Sequence, residues 1–346
     1  NKYLYTKINI IDVQGTFVSQ KINKLRWIPE EYVETKHFFT GSWDDDENSV
    51  KVWTFESLHD DEDIECPRQI SEFKVAGDVT EIKFTEKNKI AVSVSNGDVK
   101  LLEISAYERQ SPLREVYTWN TLHHIKCSCT ALDTFEGEIA TVGEDEKVNI
   151  LSSRRGDITR TISDTDSCSI HSVCFIKLNE VITGNIRGHM KIWDVRTNSD
   201  KPAAAFLLAG DEMAATCIVR HPTHPHIILA GSESGSIAVW DLRMNQFPTS
   251  LVSAHSSGVT EMHFHPENPN KFLTCSLAGD VWDWNMESLT KKSADSYLPL
   301  DDKASMNVNS LMSGLHKAIN TIHCDKGRIL CGADNEAIYL IKNFKY

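Results

Sequence analysis

Two groups of histidines are spaced closely enough to do chemistry: His221 with His224 and His226, and His263 with His265. Neutral imidazoles this near one another could ligate a metal or relay a proton. His221 and His265, however, each precede a proline, Pro222 and Pro266, at the end of an apolar stretch, where proline sets the backbone of a turn. They read as strand ends. Cys127 and Cys129 are the closest pair of thiols, but their single-residue spacer is shorter than that of a zinc knuckle and no matching second pair follows. Arg154 and Arg155 could meet a phosphate, and in a chain of formal net charge −13 they read instead as an exposed turn. There is no Gly-x-Ser-x-Gly elbow, no glycine-rich phosphate loop ahead of a helix and no His-Glu-x-x-His motif. No catalytic, cofactor-binding or metal site is predicted.

Composition narrows the class further. Acidic runs at Asp44 to Glu47 and Asp60 to Asp63 add to a field that repels phosphate backbones, so direct nucleic-acid binding is not expected and protein partners are. Nine cysteines, an odd number in apolar contexts such as Val173-Cys174-Phe175, look like buried thiols in a reducing compartment. No stretch approaches the roughly 18 uninterrupted apolar residues of a membrane span. Tyr3 to Val13 lacks the apolar core and cleavage site of a secretory signal. A cytosolic or nuclear chain without membrane insertion is expected.

The elements that must carry any function come from an internal repeat. Gly231 to Asp241 reads as strand, tight turn, strand, with small residues and Gly235 in the turn and alternating residues up to Trp240. Gly184 to Asp194 repeats it in register, with Gly188 and Trp193. Weaker copies run from Gly41 to Trp53, Ser93 to Leu102, Gly143 to Leu151, Leu277 to Trp284 and Gly332 to Ile341, making seven hairpins. Aligned on Trp53, Leu102, Leu151, Trp193, Trp240, Trp284 and Ile341, they recur at intervals of 49, 49, 42, 47, 44 and 57 residues. A preceding strand also repeats, as in Leu25 to Pro29, Ile82 to Phe84, Val173 to Phe175, Cys217 to Pro222 and Met262 to Pro266.

Units of this length ending in Trp-Asp resemble the WD-repeat family, whose blades are four-stranded antiparallel sheets around a central channel. The resemblance implies an all-β fold, a single seven-bladed WD40 β-propeller over residues 1–346. One blade alone exposes two apolar faces, and closing the ring covers them all. Five residues follow Ile341, too few for another strand, so residues 1–18 are expected to complete the last blade as its outermost strand. The polar stretch 288–313 is expected to be an exposed insertion, with an extended outer strand and a long turn as the alternative. In this family a turn aspartate often bonds a histidine from the strand before; Asp145 and Asp334 occupy that place and His255 the histidine's, whereas Ser234 and Ala278 replace the aspartate in the fifth and sixth units.

Outside the generic repeat, Phe17 to Ile22 with Arg26-Trp27, Thr40 to Asp44 with Glu47-Asn48, Thr141 to Asp145 and Ala337 to Tyr339 resemble the WD-repeat nucleoporins of the nucleoporin 43 family. That resemblance implies a non-enzymatic subunit of the Y-shaped nuclear pore scaffold. Its partners would be other nucleoporins, it would have no cofactor, and it would be monomeric on its own. It would support nucleocytoplasmic and mRNA transport at the nuclear envelope, with kinetochore association in dividing cells. An alternative comes from Trp193-Asp194-Val195-Arg196 and Trp240-Asp241-Leu242-Arg243, two Trp-Asp-x-Arg boxes similar to those of cullin-RING ubiquitin ligase substrate receptors. Arg196 and Arg243 could offer donor forks to an adaptor, or pair with carboxylates at their own strand ends. Trp43 and Trp119, near turns, are candidate interface anchors, with core packing as the alternative for each.

Overall fold

Apolar residues alternating with polar ones, punctuated by Gly, Asn and Asp turns, fold into strands throughout. The computed structural model describes residues 12–30, 35–57, 65–104, 113–124, 126–208, 213–244, 247–286 and 308–342. These form seven four-stranded antiparallel sheets. The first contains, in order, Ile22–Trp27, His37–Ser42, Asn48–Ser57 and Glu65–Val75. The repeat-defining residues occupy one register position: Trp53, Leu102, Leu151, Trp193, Trp240, Trp284 and Ile341 pair with Phe38, Ile90, Ile139, Val181, Ile228, Phe272 and Ile329. All seven are buried.

The innermost strands are Ile22–Trp27, Val79–Glu86, Cys129–Phe135, Ile170–Lys177, Ala215–Arg220, Val259–Phe264 and Ile319–Asp325. Each touches the inner strands of both neighbouring sheets, and the seventh touches the first, which makes the ring closed. Seven apolar clusters follow from this arrangement, each drawn from two adjacent blades. The one at the seam combines Leu25, Trp27, Phe38 and Phe55 of the first blade with Leu330, Ile338 and Leu340 of the seventh. No blade has a core of its own, so stability depends on closure.

Closure runs through the amino-terminal end. Asp12–Phe17 pairs antiparallel with Ala337–Lys342 as the outermost strand of the seventh blade, and Val18 N–H donates to the Glu336 carbonyl at 2.8 Å. Residues 1–11 of the expected closing segment lie outside the described residues. The 288–313 stretch is in part an element of the ring: Asn309–Met312 is the outer strand of the sixth blade, paired with Val281, Trp282 and Asp283. Leu311 and Met312 are buried there, which is why this end of the stretch is strand and not insertion. Residues 287–307 lie outside the described residues.

Hydrogen bonds also join the blades in a complete belt. Asn23, Thr80, Thr130, Ser172, Thr216, Thr260 and Asn320 each donate a side-chain hydrogen bond to the first residue of the next inner strand. The acceptors are the carbonyls of Val79, Cys129, Ile170, Ala215, Val259, Ile319 and Ile22, at 2.5 to 3.0 Å. The pairing register shifts at this same point in every inner strand. In six blades the bulge leaves the donor itself unpaired and turns its side chain off the ladder, freeing it to reach the neighbouring blade; in the fourth the unpaired residue is His171 and the donor, Ser172, stays paired with Gly184.

Candidate interaction surfaces

Alternate positions on the inner strands face the channel, and there the structure assembles titratable groups that sequence reading did not bring together. Arg26 of the first blade lies 2.5 Å from both Glu81 of the second and Glu261 of the sixth, and it also donates to Thr321 of the seventh. Lys24 stands 3.5 Å from Glu81 and 3.8 Å from Glu261. Burial opposes all four charges, yet mutual attraction prevails: Lys24 and Arg26 are held above their ordinary values, Glu81 and Glu261 below. Nearby, the rings of His263 and His323 meet edge to face at 4.4 Å. Burial, with Arg26 beside it, pushes His263 down to about 3; burial and His263 push His323 well below its usual range. Burial raises Cys217 to about 12. Within the cluster Glu81 and Glu261 are both engaged by Arg26 and Lys24. The cluster braces four blades across the channel.

The turn residues sort into structural bonds. His221 Nδ1 accepts from the backbone N–H of Thr223 and His224, and His265 Nδ1 from those of Glu267 and Asn268, at 3.2 to 3.3 Å, so both His-Pro pairs tie their own turns. Asp145 meets His123, not identified from the sequence, at 2.7 Å, and His123 Nε2 continues to Thr141 at 3.1 Å. His255 makes the matching bond to Thr274 at 2.7 Å. Asp334 departs from the expectation: it accepts not from a histidine but from Trp43 Nε1 at 3.1 Å and Asn320 Nδ2 at 2.6 Å.

That bond places Trp43, expected as an interface anchor, half-buried across the seam between the first and seventh blades. Trp119 is buried, its indole N–H donating to the Gly156 carbonyl at 3.0 Å, so packing against the third blade is its role. Arg196 and Arg243 occupy the same corner of successive blades. Arg196 grips Asp194 through Nε (3.0 Å) and Nη2 (2.7 Å), and Arg243 grips Asp241 through Nε (2.9 Å) and Nη2 (2.5 Å). These hydrogen bonds hold each aspartate down at about 2. Both guanidinium groups are exposed, and the pairs keep them oriented outward.

No family profile matches the chain. Individual proteins do. The human (Homo sapiens) nucleoporin Nup43 is 30% identical over 377 residues, spanning 96% of this chain and 99% of that protein. The mouse (Mus musculus) protein of the same name is 30% identical over 374 residues, spanning 96% and 98%. The nuclear pore complex protein NUP43 of Arabidopsis thaliana is 25% identical over 301 residues, spanning 80% and 79%. With similarity running the length of a ring whose seven blades are all accounted for, the chain belongs to the nucleoporin Nup43 family of WD-repeat β-propellers.

Proposed function

We propose that this chain is a non-enzymatic scaffold subunit of the Y-shaped complex of the nuclear pore. It binds neighbouring nucleoporins through its propeller faces and so supports nucleocytoplasmic and mRNA transport. The observation that carries this reading is the end-to-end similarity to Nup43 proteins, 96% of the chain for the human one. The geometry agrees with it: the channel charges are spent on holding blades together, and a rigid ring offers partners preorganised surfaces at low entropic cost. The chain itself is monomeric and resides at the nuclear envelope, with kinetochores as a second site in dividing cells. Affinity purification of the full chain with quantitative mass spectrometry tests the reading. Scaffold nucleoporins should be recovered in stoichiometric amounts; their absence above background overturns it.

A second reading, substrate receptor of a cullin-RING ubiquitin ligase, is favoured by one observation. Arg196 and Arg243 stand exposed at the same corner of consecutive Trp-Asp strands, while their bidentate bonds to Asp194 and Asp241 are the own-strand pairing that speaks against an adaptor contact. The same purification separates the two, since a ligase adaptor in place of nucleoporins would support the receptor role.

A further inference from the structure

A cavity of about 330 Å³ opens between the fourth and fifth blades, at the end of the ring where the Trp-Asp strands finish. Its apolar wall is Ile176, Ile192, Pro225 and Leu242, and Lys177, His226 and Arg243 stand around it with Glu180. Met244 (76%), the most exposed large apolar side chain among the described residues, follows Arg243 directly in the chain, Phe247 (65%, equal to Phe17) comes four residues after Arg243, and exposed Leu178 follows Lys177. Exposed methionine and phenylalanine close in sequence to a cavity-lining arginine cost solubility unless something covers them.

Three ion pairs on this face share an orientation. Arg243 is 66% exposed over an Asp241 that is 20% exposed, Arg196 63% over Asp194 at 22%, and Lys177 62% over Glu180 at 30%. In each of the three the cation lies outermost with its carboxylate tucked beneath, whereas Arg160 beside Asp194 is covered (12% exposed) and its partner Asp200 is outermost (72%). At the opposite end of the ring the order is mixed: Asp44 is 61% exposed over Lys21 at 35%, but Lys147 is 31% exposed over Asp145 at 5%. In a chain of net charge −13, Arg243 at the cavity and Arg196 at the same corner of the neighbouring blade are both turned outward.

We infer that this face docks an acidic segment of another protein, which inserts one aliphatic or aromatic side chain into the cavity. Flanking carboxylates of that segment meet Arg243, Lys177 and Arg196. In both arginines the internal pair uses Nε and Nη2, leaving the Nη1 edge, already oriented, for an incoming acceptor. The inference rests on the scaffold reading and adds to it the face, the chemistry of the occupant and the anchoring cavity.

The test uses the full chain in cells, with the photo-cross-linking residue p-benzoylphenylalanine in place of Phe247 and, as a control on the opposite end of the ring, in place of Leu277. A second arm measures nucleoporin recovery by the Arg243→Glu/Met244→Asp variant, with its circular dichroism and melting temperature checked against the parent. Cross-links from position 247 should fall on an Asp- and Glu-rich segment of a nucleoporin, and the folded double variant should recover that nucleoporin at least tenfold less. Undiminished recovery by the variant overturns the inference, as do cross-links from 247 that reach a basic segment, a second copy of this chain or nothing. In those cases the scaffold reading survives if nucleoporins still copurify. Should the parent recover no nucleoporin, the scaffold reading fails, and a cross-link from 247 to an acidic segment of some other identified protein would still uphold the docking surface.

Discussion

Four of the seven repeat positions hold tryptophan, and three of those indoles are satisfied in the same way. Trp53, Trp193 and Trp284 donate to Thr40, Thr183 and Thr274 at 2.8 to 3.0 Å. Trp240 is the exception: its buried Nε1 has no partner, because Ala230 stands where the other three blades place threonine. A buried donor left unpaired costs about 1–3 kcal/mol. Ala230→Thr should therefore stabilise the protein by about 1 kcal/mol, read as a higher denaturation midpoint with unchanged slope; a lower midpoint would mean that the site lacks room for the hydroxyl. The His123–Asp145 pair makes a prediction in pH. Burial pulls His123 down, but Cys129 and Asp145 outweigh it and lift the imidazole to about 9; Asp145, despite burial, is held at about 2 by His123. The histidine's contribution is thus complete below its unfolded value near 6.5 and is lost as pH rises through about 9. Asp145→Asn should cost roughly 2–3 kcal/mol at pH 6 and distinctly less at pH 9.5, measured by denaturant titration at both. A penalty independent of pH would assign the loss to shape, not charge. The Asp145 turn was legible in the sequence because it sits at a repeated spacing. His123 was not, since it lies in the connection between the second and third blades, where no periodicity marks which histidine will swing back.

The inner strands show the same contrast between what recurs and what needs three dimensions. The hairpins and their register were readable because glycine turns and a buried large residue repeat at near-constant spacing. The belt was written just as regularly, as Ile22-Asn23-Lys24-Leu25, Val79-Thr80-Glu81-Ile82, Cys129-Thr130-Ala131-Leu132, Ala215-Thr216-Cys217-Ile218, Val259-Thr260-Glu261-Met262 and Ile319-Asn320-Thr321-Ile322. A polar residue after an apolar one reads as ordinary alternation until a bulge is known to turn it toward the next blade. Ile170-His171-Ser172-Val173 varies the theme, Ser172 serving as donor. The 288–313 stretch left insertion and outer strand both open for a related reason: its residues 309–312 form an outer strand, and outer strands lie half in solvent and carry little apolar pattern. Glycine has a separate duty at the seam. A Cβ built on Gly332 of the seventh blade would collide with the side chain of Ile22 of the first. Gly332→Ala should therefore destabilise by about 1–3 kcal/mol through overpacking, and Ile22→Ala in the same chain should recover part of that loss. A double-mutant cycle of melting temperatures checks the coupling, and strictly additive losses would show that the two blades are not pressed together there.

For the ring as a whole, the question is how seven thin sheets stay in one plane when their ends are joined by a six-residue strand, Asp12–Phe17. Apolar clusters between neighbours act locally, and the belt transmits only from one blade to the next. The Arg26 cluster differs in reach, because one guanidinium contacts groups from the second, sixth and seventh blades and so spans the seam on both sides. Its net worth against apolar replacements need not be large, since four charges had to leave water. What it does impose is an asymmetry between breaking and replacing. Removing only the cation strands two buried carboxylates with Lys24 as their remaining counter-charge, so Arg26→Met should cost roughly 3–5 kcal/mol at neutral pH. Adding Glu81→Gln and Glu261→Gln to that variant should recover more than half of the loss. Acid should act oppositely on parent and single variant. In the parent both glutamates have lowered values, so their contribution is present above the unfolded value of about 4.3 and fades as pH falls further. In Arg26→Met the carboxylates lose the partner that held them down and gain stability on protonation, so the gap between the two proteins should narrow between pH 7 and pH 5. Denaturation midpoints across that interval measure the gap, and a gap that stays constant would mean that the cluster is solvated and does not brace the seam.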